Sequence, residues 1–263
     1  MRVPYPDEAE KINEYYQKTL PVIANEILNG KESCFDRIII DEAQDLISDY
    51  YIQVLNSCLK RGFSRGKWML FGDFTMQTIY SEGVSESGLI ENLEKYASFA
   101  RFKLTVNCRN TKQICTQIQT VTGLKIAHTL ERTIDGPPVE YITWSSINDQ
   151  CDKLEKILDK LKSNGIPFEK ITILSPQRRE NSVISLLTEY DIKDFNIYEN
   201  SNLMFSTIHA YKGLENTVII LIDIDNSMSS QLLYVGLSRA TSSLYVLLSE
   251  TAKKDLLLRG VLQ

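Results

Sequence analysis

The sequence predicts an α/β protein with mainly parallel sheets, and three observations carry that prediction. Ile38-Ile39-Ile40 is a run of three β-branched apolar residues, which reads as a strand buried on both faces, the kind found inside a parallel sheet. Trp68-Met69-Leu70-Phe71 is a second buried strand. From Val139 onward, strand and helix patterns alternate.

The chain of 263 residues is long enough for one large or two small domains with proper cores. Its 43% hydrophobic and 24% charged residues are ordinary for a soluble globular protein. A net charge of −5 provides no global basic field, so any nucleic-acid surface has to be a local patch. Cys34, Cys58, Cys108, Cys115 and Cys151 are scattered, lack the paired spacing of a zinc site, and read as reduced thiols of a cytoplasmic protein. There is no signal peptide, no repeat, and no apolar run of about 18 residues, so no membrane partner is expected.

Residues 7–28 carry Glu, Lys, Leu and Ile at helical spacing, with Pro21 expected to kink or split the helix and Asn29-Gly30 to end it. A strand over 36–40 follows, then Asp41-Glu42 and a helix over about 48–60. A basic turn at 61–67 precedes strand 68–71, which runs into Gly72-Asp73-Phe74-Thr75-Met76-Gln77. A helix near 87–96 leads to a polar connection, and a boundary between two domains, 1–100 and 101–263, is expected within 97–104. A strand begins the second domain at 102–106, and Asn110 or Thr111 caps a helix to about Val121. Strand 139–143 comes next, then a long amphipathic helix over 147–163 with Leu154, Ile157, Leu158 and Leu161 on one face. Strand 171–174 ends at Ser175-Pro176, with Gln177-Arg178-Arg179 beyond it and a helix through about Tyr190. Strands at 218–222 and 244–248 follow, the last closing the sheet.

In an open α/β sheet, ligands gather outside the carboxyl ends of the strands, which is where Asp41 and Glu42 stand. Asp41 could hold a magnesium ion through water, and Glu42 could orient and deprotonate an attacking water. Gly72 lets backbone approach a ligand, and the Gln77 amide could reach a phosphate or that water. Arg178 and Arg179, at the carboxyl end of a strand, suit a nucleic-acid phosphate and open solvent equally well.

A buried strand running into Asp41-Glu42-Ala43-Gln44-Asp45 resembles the Walker B motif of superfamily 1 helicases. The Gly72-Asp73 turn with Gln77 resembles motif III, and Leu104-Thr105-Val106-Asn107-Cys108-Arg109-Asn110 resembles motif IV. Ser206-Thr207-Ile208-His209-Ala210-Tyr211-Lys212-Gly213-Leu214-Glu215 resembles motif V of the UvrD/Rep helicases, and Leu233-Tyr234-Val235-Gly236-Leu237-Ser238-Arg239-Ala240 resembles motif VI. The resemblance implies a RecA-like P-loop NTPase architecture. Residues 1–100 would be the end of a first RecA-like domain, carrying Walker B and motif III, and residues 101–263 a complete second one. It also implies ATP and magnesium as cofactors and movement along single-stranded DNA.

By residue, the resemblance implies that Asp41 serves magnesium beside Glu42, that Glu42 activates water, and that Gln77 senses the terminal phosphate. Arg109 would reach that phosphate from the second domain, and Glu215 would contact the ribose. Arg239 would act as an arginine finger on the transferring phosphoryl group. Thr207 and His209 would touch the DNA strand, with Tyr80, Arg178 and Arg179 as further nucleic-acid contacts.

The sequence departs from the family pattern in four places. Cys108 replaces the usual aromatic before Arg109, and Ser81-Glu82-Gly83 stands where relatives carry Trp or Phe for base stacking. The interval 110–206 is filled by core elements, so no bulky accessory domain is expected. None of the 12 glycines is spaced to form G-x-x-x-x-G-K-[ST], the loop whose amides and lysine hold a triphosphate. The resemblance therefore implies the later part of a helicase, with an N-terminal segment or partner chain supplying that loop, and no ATP hydrolysis by these residues alone. A catalytically silent module that binds nucleic acid or protein is the other reading.

Overall fold

The computed structural model of the protein describes residues 12, 14–73, 86–123, 128–129, 135–195 and 202–258. The chain divides into two compact units, Met1–Phe102 and Lys103–Gln263.

In the first unit Pro21 does not split the N-terminal helix. A wider π-helical turn, Tyr15–Thr19, runs directly into helix α1, Leu20–Leu28. A proline offers no N–H and its ring crowds the preceding turn, and a wider turn accommodates both. Gly30, at a φ of 75°, ends the helix. Strand β1, Arg37–Ile40, pairs in parallel with β2, Lys67–Leu70, setting Ile39 opposite Met69. Between them lie α2, Asp49–Cys58, whose Ser48 cap accepts the Tyr51 N–H, and the short α3, Gly62–Arg65. Helix α4, Glu86–Glu94, completes the described part.

Ile38 packs with Ile52, Leu59, Phe63, Leu89 and Leu93, and Ile40, Trp68 and Leu70 lie against that cluster. The opposite face is open: Ile39 is 62% exposed and Met69 53%. The expected burial of this strand on both faces therefore holds on one face only. Among the described residues the sheet has two strands, and no layer covers Ile39, Met69 and Phe71.

The second unit opens with β3, Val106–Asn107, paired in parallel with β4, His128–Thr129, and α5, Lys112–Thr122, lies between them. The main sheet holds β5, Glu140–Trp144; β6, Ile171–Ser175; β7, Ile192–Asp194; β8, Leu203–Thr207; β9, Asn216–Ile224; and β10, Ala240–Ser249. Their order is β5-β10-β9-β6-β8-β7, and every neighbouring pair is parallel. Helices α6, Ile147–Ser163; α7, Ser230–Leu237; and α8, Glu250–Leu258 accompany it. This mixed α/β arrangement on a six-stranded parallel sheet is consistent with a RecA-like fold. Leu154, Ile157, Leu158 and Leu161 of α6 pack on Ile171, Ile173, Ile220 and Leu247, as their helical spacing predicts.

Three expectations for this unit need correction. Residues 102–105 form no strand; Phe102 is 91% exposed and Leu104 87%, and the pairing available from β4 reaches only Val106 and Asn107. No α-helix runs to Tyr190. Two 3-10 turns, Arg179–Asn181 and Val183–Leu186, take its place, because Ser182 and the Val183 N–H are drawn to the Asp223 carboxylate. Strand β10 does not close the sheet; it lies between β9 and β5, and β5 is the edge. The edge strand β7 was not expected, since three residues give almost no periodicity. Between Asn110 and Ser206, the described chain contributes β5, β6, β7 and part of β8 to the core sheet. Among the described residues no helix is long and apolar enough to cross a membrane.

Candidate functional site

In the first unit, β1 ends in a tight turn. Glu42 has φ 51°, in the left-handed region that costs a non-glycine residue about 1–3 kcal/mol. The Glu42 N–H donates to Asp41 Oδ1 at 2.9 Å, and the Ala43 N–H donates to the Phe71 carbonyl at 2.8 Å. Buried Gln44 ties this turn to the end of β2. Its Nε2 donates to Glu42 Oε2, and its Oε1 accepts the Asp73 N–H at 3.1 Å. A Cβ on Gly72 would lie 2.4 Å from Gln44 Oε1, so any larger residue has to displace the Gln44 amide. Asp41, Glu42 and Asp73 are thus gathered at one end of two parallel strands, which is where such sheets take ligands. Gln44 lies within the Asp41-Glu42-Ala43-Gln44-Asp45 stretch, but only the fold reveals its bridging role. Gln77 and Tyr80 lie outside the described residues.

In the second unit, three stretches distant in sequence meet. Arg109 Nε lies 2.6 Å from Glu215 Oε2. Next to it, Asn110 is buried and its Nδ2 donates to the Ser238 carbonyl at 3.0 Å and the Ala240 carbonyl at 2.7 Å. Asn107 Oδ1 accepts the Arg109 and Asn110 N–H groups and so shapes the loop that carries them. Arg239 is wholly buried. Its Nε donates to the Val235 carbonyl, its Nη1 to the Leu214 carbonyl and its Nη2 to Ser238 Oγ. In this conformation it fastens the end of α7 to the stretch before β9, and Arg109 is the guanidinium of this group that reaches solvent.

Residues 208–215 connect the end of β8 to the start of β9, and β6 lies between those two strands. All three strands are parallel, so this short crossover traverses β6 from its carboxyl edge back to its amino edge. Tyr211 anchors it midway: its hydroxyl lies 3.3 Å from Thr172 Oγ1 on β6 and donates to the Glu215 carbonyl. Thr207 and His209 therefore stand at one edge of the sheet, and Glu215, with Arg109, at the other. Thr207 Oγ1 accepts the Ala210 N–H, and burial holds His209 below its ordinary pKa.

At the carboxyl edge, Asp223 adopts φ 58°. Its carboxylate accepts Ser175 Oγ at 2.6 Å, Ser182 Oγ at 2.5 Å, Gln150 Nε2 at 3.1 Å and the Val183 N–H at 3.3 Å. Both ends of the 176–181 loop are pinned by this one group. The loop exposes Gln177 and Arg178 next to Thr207, which pairs with Ser175. Arg179 behaves differently, pairing with Asp194 at 2.6 Å, donating to the Ile192 carbonyl and lying over the Phe205 ring. No sequence signal singled out Asp223, because its role rests on groups far along the chain.

Among the described residues no group of three His, Cys, Asp or Glu is placed to hold a metal ion. A magnesium ion usually keeps several waters and takes one or two carboxylates plus the phosphates of its ligand, and exposed Asp41 beside Glu42 fits that donor set.

Residues 202–247, which span β8, the crossover, β9, α7 and most of β10, match the model of the UvrD-like helicase C-terminal domain family. This stretch is similar to a UvrD-like helicase C-terminal segment. The match supports a helicase-related role, and the matched segment contains the crossover, Glu215 and Arg239. No curated protein matches the sequence. Among solved structures, the chain is similar to the C-terminal domain of a possible DNA helicase from Lactobacillus plantarum WCFS1, at 15% identity and a TM-score of 0.42, covering 57% of this chain and 97% of that one. It is also similar to arterivirus nonstructural protein 10, a helicase, at 13% identity and a TM-score of 0.41, and to the PRRSV helicase at 10% identity and a TM-score of 0.42. These likenesses cover 80% and 86% of this chain but only 38% and 50% of the viral helicases.

Proposed function

We propose that the chain is part of an ATP-dependent superfamily 1 helicase or translocase of the UvrD/Rep type, acting on single-stranded DNA. The observation that carries this reading is the meeting of Arg109, Asn110, Glu215 and Arg239, from three separated motifs, at one sheet edge. Two of them, Arg109 and Glu215, present a cation and a hydroxyl acceptor to solvent, which suits the phosphates and ribose of a nucleotide. At the other edge, Thr207, His209 and Arg178 suit a nucleic-acid strand. In the first unit Asp41 would hold hydrated magnesium, whose chemistry is charge neutralisation on the phosphates. Glu42, fixed by Gln44, would accept a proton from the attacking water. The face at Ile39, Met69 and Phe71, which no layer covers among the described residues, suits a first domain completed by further polypeptide that also brings the phosphate loop.

The test is phosphate release, stimulated by single-stranded DNA, from the native assembly containing this chain. Glu42→Gln should lower turnover about 10²–10⁴-fold with ATP binding retained. Unchanged turnover in that variant would overturn the reading. Arg239 favours a second reading, a silent nucleic-acid-binding module, because its donors are taken by the protein itself. That reading requires oligonucleotide binding with no phosphate release in any assembly.

A further inference from the structure

Cys34 and Cys58 lie side by side in the first unit. Phe35 and Leu59, the residues that follow them, form a parallel bridge. The Phe35 N–H donates to the Cys58 carbonyl at 3.0 Å, and the Lys60 N–H donates to the Phe35 carbonyl at 2.9 Å. Residues one step before a parallel bridge point to the same side and sit about 5 Å apart, within the Cα separation a disulfide spans. Cys34 is exposed and Cys58 half-buried, and both are free thiols. Burial pushes the Cys58 thiol up, and the neighbouring Cys34 adds to that effect. The exposed partner is therefore the one an oxidant meets first.

We propose that Cys34 and Cys58 form a reversible redox couple that closes as a disulfide under a hydroperoxide. The Cys34 thiolate attacks the peroxide, forming an S–O bond as the O–O bond breaks and the alcohol or water leaves, which gives a sulfenic acid. The Cys58 sulfur then attacks the Cys34 sulfur, forming the S–S bond and breaking the S–O bond, and water leaves with the thiol proton. In sum, two thiols lose two electrons and two protons to one hydroperoxide. The ring so closed, residues 34–58, contains β1, the Asp41–Glu42 turn and α2. Oxidation would therefore tie the entry to the acidic turn to the end of the helix that follows it.

The test treats the folded full chain with hydrogen peroxide, blocks remaining thiols by alkylation, and maps tryptic peptides. Cleavage at Lys31, Arg37 and Lys60 places Cys34 in peptide 32–37 and Cys58 in peptide 38–60, so the disulfide joins two separate fragments. The expected result is that joined species, two hydrogens lighter than the sum of its parts and lost on treatment with dithiothreitol. In Cys58→Ser, Cys34 should instead be trapped by dimedone as the sulfenic acid. In Cys34→Ser, Cys58 should stay alkylatable at the same dose. Oxidation of Cys34 to sulfinic acid with Cys58 still free in the unaltered chain would overturn the proposal. So would cross-links that join either residue to Cys108, Cys115 or Cys151 in place of one another.

Discussion

Arg109 and Glu215, brought together from separate motifs, form an ion pair with 2.6 Å between Nε and Oε2 at the amino edge of the main sheet. The two side chains are 38% and 50% exposed. Pairs this open contribute about 0–1 kcal/mol, so the contact occupies Arg109 without holding the fold together. Glu215→Gln should leave the urea midpoint nearly unchanged and tighten pyrophosphate binding several-fold in calorimetric titration, and Arg109→Ala should abolish that gain. A stability loss of several kcal/mol in Glu215→Gln would instead make the pair part of the core.

Arg239 should behave in the opposite way. Arg239→Met strands the Leu214 carbonyl and leaves the Val235 carbonyl only the Ser238 hydroxyl, and a loss of about 2–4 kcal/mol is expected from the lost hydrogen bonds to a charged group. Asn110→Ala, which frees the Ser238 and Ala240 carbonyls, should cost about 1–3 kcal/mol. Chemical denaturation followed by far-UV circular dichroism measures both. Unaltered stability in Arg239→Met would show that the side chain can leave its buried site at no cost.

Gly72→Ala tests the bridge between the two strand ends of the first unit. The added methyl meets Gln44 Oε1 at 2.4 Å and the Ala43 nitrogen at 3.2 Å, so the amide has to leave its bonds to Glu42 and Asp73. The expected cost is about 1–3 kcal/mol. Combining it with Gln44→Ala should cost less than the sum of the two single changes. Full additivity in that double-mutant cycle would separate the two residues.

His209 gives a pH dependence with a definite sign. Burial lowers its pKa in the folded protein, so the unfolded chain takes up its proton first as pH falls. Its contribution should be flat above the unfolded value of about 6.5, decline as pH drops below that, and level off once folded His209 also protonates. Urea midpoints for the unaltered protein and His209→Gln, taken from pH of about 8 down to about 5, should diverge on the acid side only. Parallel curves throughout would remove His209 from this dependence.

Helix α6 was legible because its apolar residues recur at helical spacing from Leu154 to Leu161, and Ile157 and Leu158 are buried as that spacing requires. The strands β6 and β9 were legible because their central residues are buried on both faces and the runs are mostly apolar, whereas β8, Leu203–Thr207, was not expected, since its short run ends in Ser206-Thr207. The open face at Ile39 was not legible, since a run of isoleucines states what a strand prefers and not which layers surround it. Nor was the fate of Arg179 or Arg239. An arginine reads alike whether it faces solvent or carbonyls, and only Asp194 and the Val235 and Leu214 carbonyls decide between the two. Glu215 was picked by its place in a motif, but its partner Arg109 could not be paired with it from sequence.

The crossover over β6 has a consequence for tolerated changes of length. Residues 208–215, fully extended, reach at most about 26–29 Å, and they are held well short of that by turns from Tyr211 N–H to the Thr207 carbonyl and from Leu214 N–H to the Tyr211 carbonyl. An added residue would have to bulge away from Thr172, which Tyr211 touches, and a removed one would have to break a turn. Either change shifts Thr207 or Glu215 in the sheet. Substitutions can be absorbed along much of this chain, but here the number of residues is itself the constraint.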